Sequence, residues 1–214
     1  MNASFGDSLR SGGWLIFLAL AGFLLTGSAV TAWAADREGN ENFASGAVGD
    51  VAAAYFTNLP LITQEGKEIH FFNDLLADRV VVLTGFYVNC TTTSPQENLV
   101  LSRLQVLLGD RLGREVGIVS VSVDPKRDTP EKVASYAEVF RPRPGWTFLT
   151  GKPENVDWVN YKLGQYHEDP ELHRGNYLLG NLKTGLWKKL NPATKAPELL
   201  QQIEALLADQ RERQ

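Results

Sequence analysis

The chain has 214 residues, 43% of them apolar, with 21 basic against 25 acidic side chains and a formal net charge of −4. That supports one globular core plus an additional segment, and with no basic stripe it argues against nucleic acid as a partner. A single cysteine, Cys90, and a single methionine, Met1, exclude an internal disulfide and leave few soft donors.

The additional segment comes first. No charged residue occurs between Ser11 and Ala35, and residues 15–25, LIFLALAGFLL, form an apolar block preceded by Arg10. Ala32 and Ala34 stand where a signal peptidase reads small residues, whereas Trp14 and Trp33 bracket a stretch of about the ~20 residues a membrane helix needs. Both readings, cleaved signal peptide and retained membrane anchor, export the rest of the chain to the periplasm or the outer face of a bacterial inner membrane. The expected division is 1–35 as signal or anchor, 36–52 as a flexible tether, and 53–210 as the folded domain.

Within the domain, short β-branched runs alternate with helical patterns, so the fold class is α/β: a central mixed sheet flanked by helices. AAYFTNLPLIT and GKEIHFF predict a leading hairpin, with His70 as a surface or cross-strand residue on it. RVVVLTGFYV and EVGIVSVSVD are continuous apolar runs, the mark of buried central strands. Between them Ser94, Pro95 and Glu97 read as a capping box: Ser94 as N-cap, Pro95 at the first helical position and Glu97 reaching back. Leu101, Leu104, Leu108 and Leu112 continue at helical spacing. Thr129 and Pro130 open the next helix, with Asp128 as a further capping acceptor. WTFLT predicts a strand, Pro153 opens a helix, GNYLLGNLKTGLWKKL a hairpin, and APELLQQIEALLADQRERQ a closing amphipathic helix. The predicted order is β-β-β-α-β-α-β-α-β-β-α. Tyr136, Phe140, Trp146, Phe148, Trp158 and Tyr161 read as core and rim packing.

Cys90 therefore falls in the loop after a central strand and just ahead of a helix N-terminus, where amide groups and the helix dipole favour a thiolate. The carboxyl ends of strands are also where open α/β sheets bind ligands.

The cysteine loop after a buried strand, the proline-led helix, the run SVSVDPKRDTPEKVASYAEVF and the late HRGNYLLGN resemble the Sco/SenC family of thioredoxin-like proteins. The resemblance covers roughly Tyr55 to Leu207. It implies a membrane-tethered or exported copper protein that assists assembly of the copper centre of cytochrome c oxidase, holding one ion through a C-x-x-x-C loop and a late histidine. On that pattern Cys90 matches the first cysteine and His173 the histidine, while Ser94 occupies the second cysteine position. Serine is a hard donor and a poor substitute for thiolate toward Cu(I), so a site of Cys90 and His173 is expected to favour one Cu(I). Ser94 and His167 are the candidates for a weak or substitute ligand. The partners implied are a cytochrome oxidase subunit or another cuproprotein, a copper donor protein, and the membrane where the N-terminal segment is kept.

With no second cysteine, two-electron dithiol chemistry within one chain is closed, and the chain reads as a non-enzyme. Two other functions stay open: a thioredoxin-like protein-contact domain without metal, and a single-cysteine thiol peroxidase or redox sensor built on the Cys90 thiolate.

Overall fold

The structure is a computed structural model that describes residues 51–212; the proposed signal or anchor and most of the tether lie outside the described residues. Within them the elements run β1 (Pro60–Thr63), β2 (Glu68–His70), β3 (Val80–Phe86), α1 (Thr93–Leu108), β4 (Val116–Ser122), α2 (Pro130–Glu138), β5 (Trp146–Thr150), α3 (Pro153–Lys162), β6 (Tyr177–Asn181), β7 (Leu186–Leu190) and α4 (Ala196–Glu212). This is the predicted order. The leading hairpin is shorter than the sequence suggested, because residues 51–56 are helical and Phe71–Leu76 form a π-helical turn.

The seven strands form one sheet in the order β2-β1-β5-β4-β3-β6-β7. β3, β4 and β5 run parallel, and antiparallel β6 and β1 extend the sheet on either side. This is a thioredoxin-like mixed sheet with an added hairpin. β3 and β4 are buried along all seven residues each, which is why their sequences read as apolar runs rather than alternations. The side chains still alternate between faces. Val80, Val82 and Phe86 of β3 join Leu101, Leu104 and Leu108 of α1 and Leu199, Ile203 and Leu206 of α4 on one side. Val81 and Leu83 join Leu61, Phe71, Val156 and Val159 on the other. Two covered faces fix the register, because a slip of one residue would exchange both cores.

Among the aromatic residues, Tyr136, Phe140, Trp146 and Phe148 pack together, with Phe86 stacked on Tyr136 at 5.1 Å. Trp158 and Tyr161 instead stack on each other at the surface. The FRPRPGW connection is pinned to α1: Gln105 Nε2 donates to the Arg141 carbonyl and its Oε1 accepts from the Arg143 amide, while Ser102 Oγ donates to the Phe140 carbonyl.

Asp128 corrects the sequence reading. Thr129 is the N-cap of α2 and Pro130 its first residue, as expected, but no side chain caps this end. The Asp128 carboxylate turns the other way and accepts from the Val88 amide at 3.2 Å and from Ser122 Oγ at 2.6 Å. Its carbonyl accepts from Thr150 Oγ1 at 2.6 Å. One buried residue thus joins the carboxyl ends of β3, β4 and β5. Burial raises its pKa to about 6, against the pull of the Ser122 and Val88 hydrogen bonds. Asp128→Ala removes the acceptor of the buried Ser122 hydroxyl and of the half-buried Val88 amide, and urea unfolding is expected to show a loss of about 2–4 kcal/mol.

Candidate metal centre

The strand end that Asp128 secures is where β3 delivers Cys90. The chain leaves β3 after Phe86, turns with the Cys90 amide donating to the Tyr87 carbonyl, and enters α1 at Thr93. Cys90 is buried, its Sγ 3.8 Å from Thr92 Oγ1 and accepting from the Ser94 amide at 3.4 Å. Burial alone would hold the thiol protonated, yet the Ser94 and Thr92 groups around the sulfur outweigh it and bring its pKa down to about 7. Tyr87, beside it, is pushed up to about 12 by burial and by the same sulfur.

The capping box does not form. The N-cap is Thr92, with no side-chain hydrogen bond, and Ser94 lies inside the first turn with its Oγ buried and unpartnered. Its hydroxyl makes no formal hydrogen bond but sits close enough to stabilise charge on Cys90 Sγ, so Ser94 serves the thiol rather than the helix end. Glu97 does not reach back either. It is 1% exposed, neither carboxyl oxygen has a hydrogen-bond partner in good geometry, and its pKa rises to about 8. Burial is the main cause and the Cys90 charge the second; the nearby Asn176 amide and Thr84 hydroxyl offset only part.

The other wall is residues 173–176. His173 is buried and lies against Gly85, the penultimate residue of β3: a Cβ on that glycine would stand 2.6 Å from His173 Cε1. Any side chain at 85 would expel the ring. Two residues on, Gly175 has φ +70°, and a Cβ there would stand 2.6 Å from Glu97 Oε1 and 2.5 Å from Thr93 Cγ2. Thr84 Oγ1 donates to the Asn176 carbonyl at 3.0 Å. The His173 segment is therefore wedged between the end of β3 and the first turn of α1, the two elements that flank Cys90. Burial lowers the His173 pKa to about 4, despite the Gly85 carbonyl, and its Nε2 has no hydrogen-bond partner. At neutral pH the ring carries a free lone pair.

The remaining histidines separate. His167 is half-buried, its ring centroid 6.4 Å from that of His173, on a cleft it shares with Asp124, Arg127 and Asp157. His70 is exposed on β2, 4.0 Å from Asp74 and away from this centre. Asp124 is held by Arg127. Among the described residues, no group of three or more His, Cys, Asp or Glu side chains is arranged to hold a metal ion. Among the described residues, the Cys90 thiolate and the neutral His173 imidazole are donors whose chemistry suits a soft ion. Glu97, like Ser94 and Asp128, takes a place that helix-end reasoning from the sequence does not give it. Its signal was the spacing 94, 97, 101, 104, 108, which continues the buried stripe of α1.

A sequence profile of the SCO1/SenC family matches residues 51–208. The mitochondrial SCO1 homolog 1 of Arabidopsis thaliana is 30% identical over 119 residues, 56% of this chain; the match spans 34% of that relative's length, about a third. Among solved structures, a SCO1/SenC family lipoprotein from Bacillus anthracis superposes with a TM-score of 0.60 at 22% identity, covering 71% of this chain and 94% of that one. Arabidopsis ScoI with copper bound gives 0.59 at 22%, covering 71% and 96%. At these identities the superpositions establish the fold.

Two measurements test the electrostatics of the centre. The ultraviolet absorbance of the Cys90 thiolate should titrate with a midpoint near 7, and Ser94→Ala should move it upward; an unmoved midpoint would deny Ser94 that role. Between about pH 4.5 and 8 an unfolded chain has ionised Glu97 whereas the folded chain keeps its proton, so stability falls as pH rises through that window. Chemical denaturation at several pH values should show Glu97→Gln removing on the order of a few kcal/mol of that decline.

Proposed function

The chain belongs to the SCO1/SenC family, and on that basis we propose that it is an exported copper-binding accessory protein assisting maturation of a cytochrome oxidase copper centre. Its cargo is one copper ion held by Cys90 and His173. The observation that carries this reading is a buried imidazole with an unpartnered Nε2, seated against the strand end that delivers a thiol of pKa about 7. The copper-bound Arabidopsis relative of the same fold supports the choice of metal.

On this reading the motif is C-x-x-x-S, Ser94 occupying the position of the second cysteine. Charge then selects the oxidation state. With His173 neutral and Glu97 protonated at pH 7, the ionised centre carries one negative charge, on sulfur. A monovalent ion cancels it, whereas Cu(II) would leave a buried excess charge and lack donors for its higher coordination. A two-donor site also releases its ion more readily than a three-donor one, which suits transfer from a copper donor protein and onward to an oxidase subunit or another cuproprotein. Export by the N-terminal segment puts this exchange in the periplasm or at the outer face of the inner membrane.

Anaerobic titration against a chromophoric Cu(I) chelator tests the assignment. The full chain should take up one Cu(I), Cys90→Ala none, and His173→Ala should bind at least about tenfold more weakly, the equivalent of ~1.4 kcal/mol. Ser94→Cys should tighten binding. Uptake by the unaltered chain no greater than by Cys90→Ala would overturn the proposal.

A further inference from the structure

On the α3 side of the sheet, lined by none of the residues just described, lies a groove of about 800 Å³. Phe56, Leu163, Leu178 and Trp187 line it, with Val51 and Tyr55 from the helical residues 51–56 on its rim and Lys162 as the only charged lining residue among the described residues. The rim is open: Val51 is 69% exposed and Tyr55 51%. Alongside it Trp158 and Tyr161, stacked at 5.3 Å, expose 47% and 61% of their surface. Lys162 Nζ sits between two of these rings, 4.9 Å from the Trp158 centroid and 5.0 Å from that of Tyr55. Large apolar side chains left exposed together mark an interface rather than ordinary surface.

The chemistry of the patch indicates what covers it. Trp and Tyr, apolar bodies with polar tips, together with a lysine whose stem lies along apolar surface, are the side chains suited to the headgroup level of a bilayer. The connectivity agrees. Val51, on the rim, is 16 residues beyond Ala35, where the uncharged apolar run of the sequence ends. The intervening chain reaches at most ~55 Å when fully extended and about 20–25 Å on average if it is a flexible coil. A membrane holding that run would lie within this reach of the groove's rim.

We propose that the face formed by Tyr55, Trp158, Tyr161 and Lys162 rests on a phospholipid bilayer, with the aromatic rings at headgroup depth and the groove receiving the upper part of an acyl chain. Lys162 pairs with a lipid phosphate and so favours anionic lipid. The inference draws on the anchor reading of residues 1–35 for proximity, and on the surface itself for the contact.

The test uses the full chain in nanodiscs of phosphatidylcholine and phosphatidylglycerol, with lipids brominated high on the acyl chain as short-range quenchers. Replacing Trp14 and Trp33 by Phe silences the N-terminal segment, and the difference on further Trp158→Phe substitution isolates Trp158. The brominated lipid should remove about half or more of that difference signal, and Lys162→Glu should restore most of it. Equal Trp158 emission in brominated and plain discs would overturn the proposal, whether the face is in water, on a protein partner or on a second copy. Should the chain fail to insert, the anchor reading fails separately. Flotation with the same lipids as vesicles then decides: binding abolished by Trp158→Ala and Lys162→Glu supports the face, and no binding overturns it.

Discussion

The wedge of residues 173–176 between the end of β3 and the first turn of α1 is the constraint on which the centre depends. It is made by two close approaches that only glycine permits, His173 on Gly85 and Glu97 on Gly175, and by the Thr84 hydroxyl on the Asn176 carbonyl. Parallel strands alone would bring the Cys90 loop to the edge of the sheet. The wedge brings the late histidine to the same edge from a position 83 residues further along the chain. Asp128 plays the matching part beneath, because its carboxylate and carbonyl join the ends of the three parallel strands that the loops grow from.

The cost of that packing is a concentration of unsatisfied polar groups. Ser94 Oγ, both Glu97 oxygens and His173 Nε2 are buried without hydrogen-bond partners in this one region, whereas Ser120, Asn98 and Trp146 in the core are hydrogen-bonded to one another. Such groups persist where they serve something beyond stability. Here the burial that leaves them unpaired also sets their charge states. His173 keeps its lone pair and Glu97 its proton, while at Cys90 the Ser94 and Thr92 groups outweigh burial and bring the pKa to about 7. Under the proposed function, this division makes a monovalent soft cation the natural occupant.

Much of the architecture was legible because its causes are local and periodic. β3 and β4 declare themselves as unbroken apolar runs, and the prolines at 130 and 153 begin their helices where they should. The pairing of Cys90 with His173 rests on family resemblance, since nothing in local spacing joins the two. The errors share one physical origin. Ser94 with Glu97 spells a capping box, and Asp128 before Thr129 spells a cap, when neighbours in sequence are the only partners considered. Tertiary packing took both carboxyl groups instead: Gly175 closes over Glu97 and buries it unpaired, and Asp128 accepts from the Val88 amide and the Ser122 hydroxyl. Tertiary burial overrode helix-end chemistry at both sites, the sites that bracket the thiol.

Under the proposed function, one sulfur and one imidazole nitrogen suffice to hold the copper. X-ray absorption of the Cu(I)-loaded chain addresses this most directly, because the scattering shell counts sulfur and nitrogen separately. One sulfur and one nitrogen neighbour are expected, the nitrogen lost in His173→Ala. Two sulfur neighbours, as in a dimer bridged through Cys90, or a shell without imidazole nitrogen, would contradict that assignment.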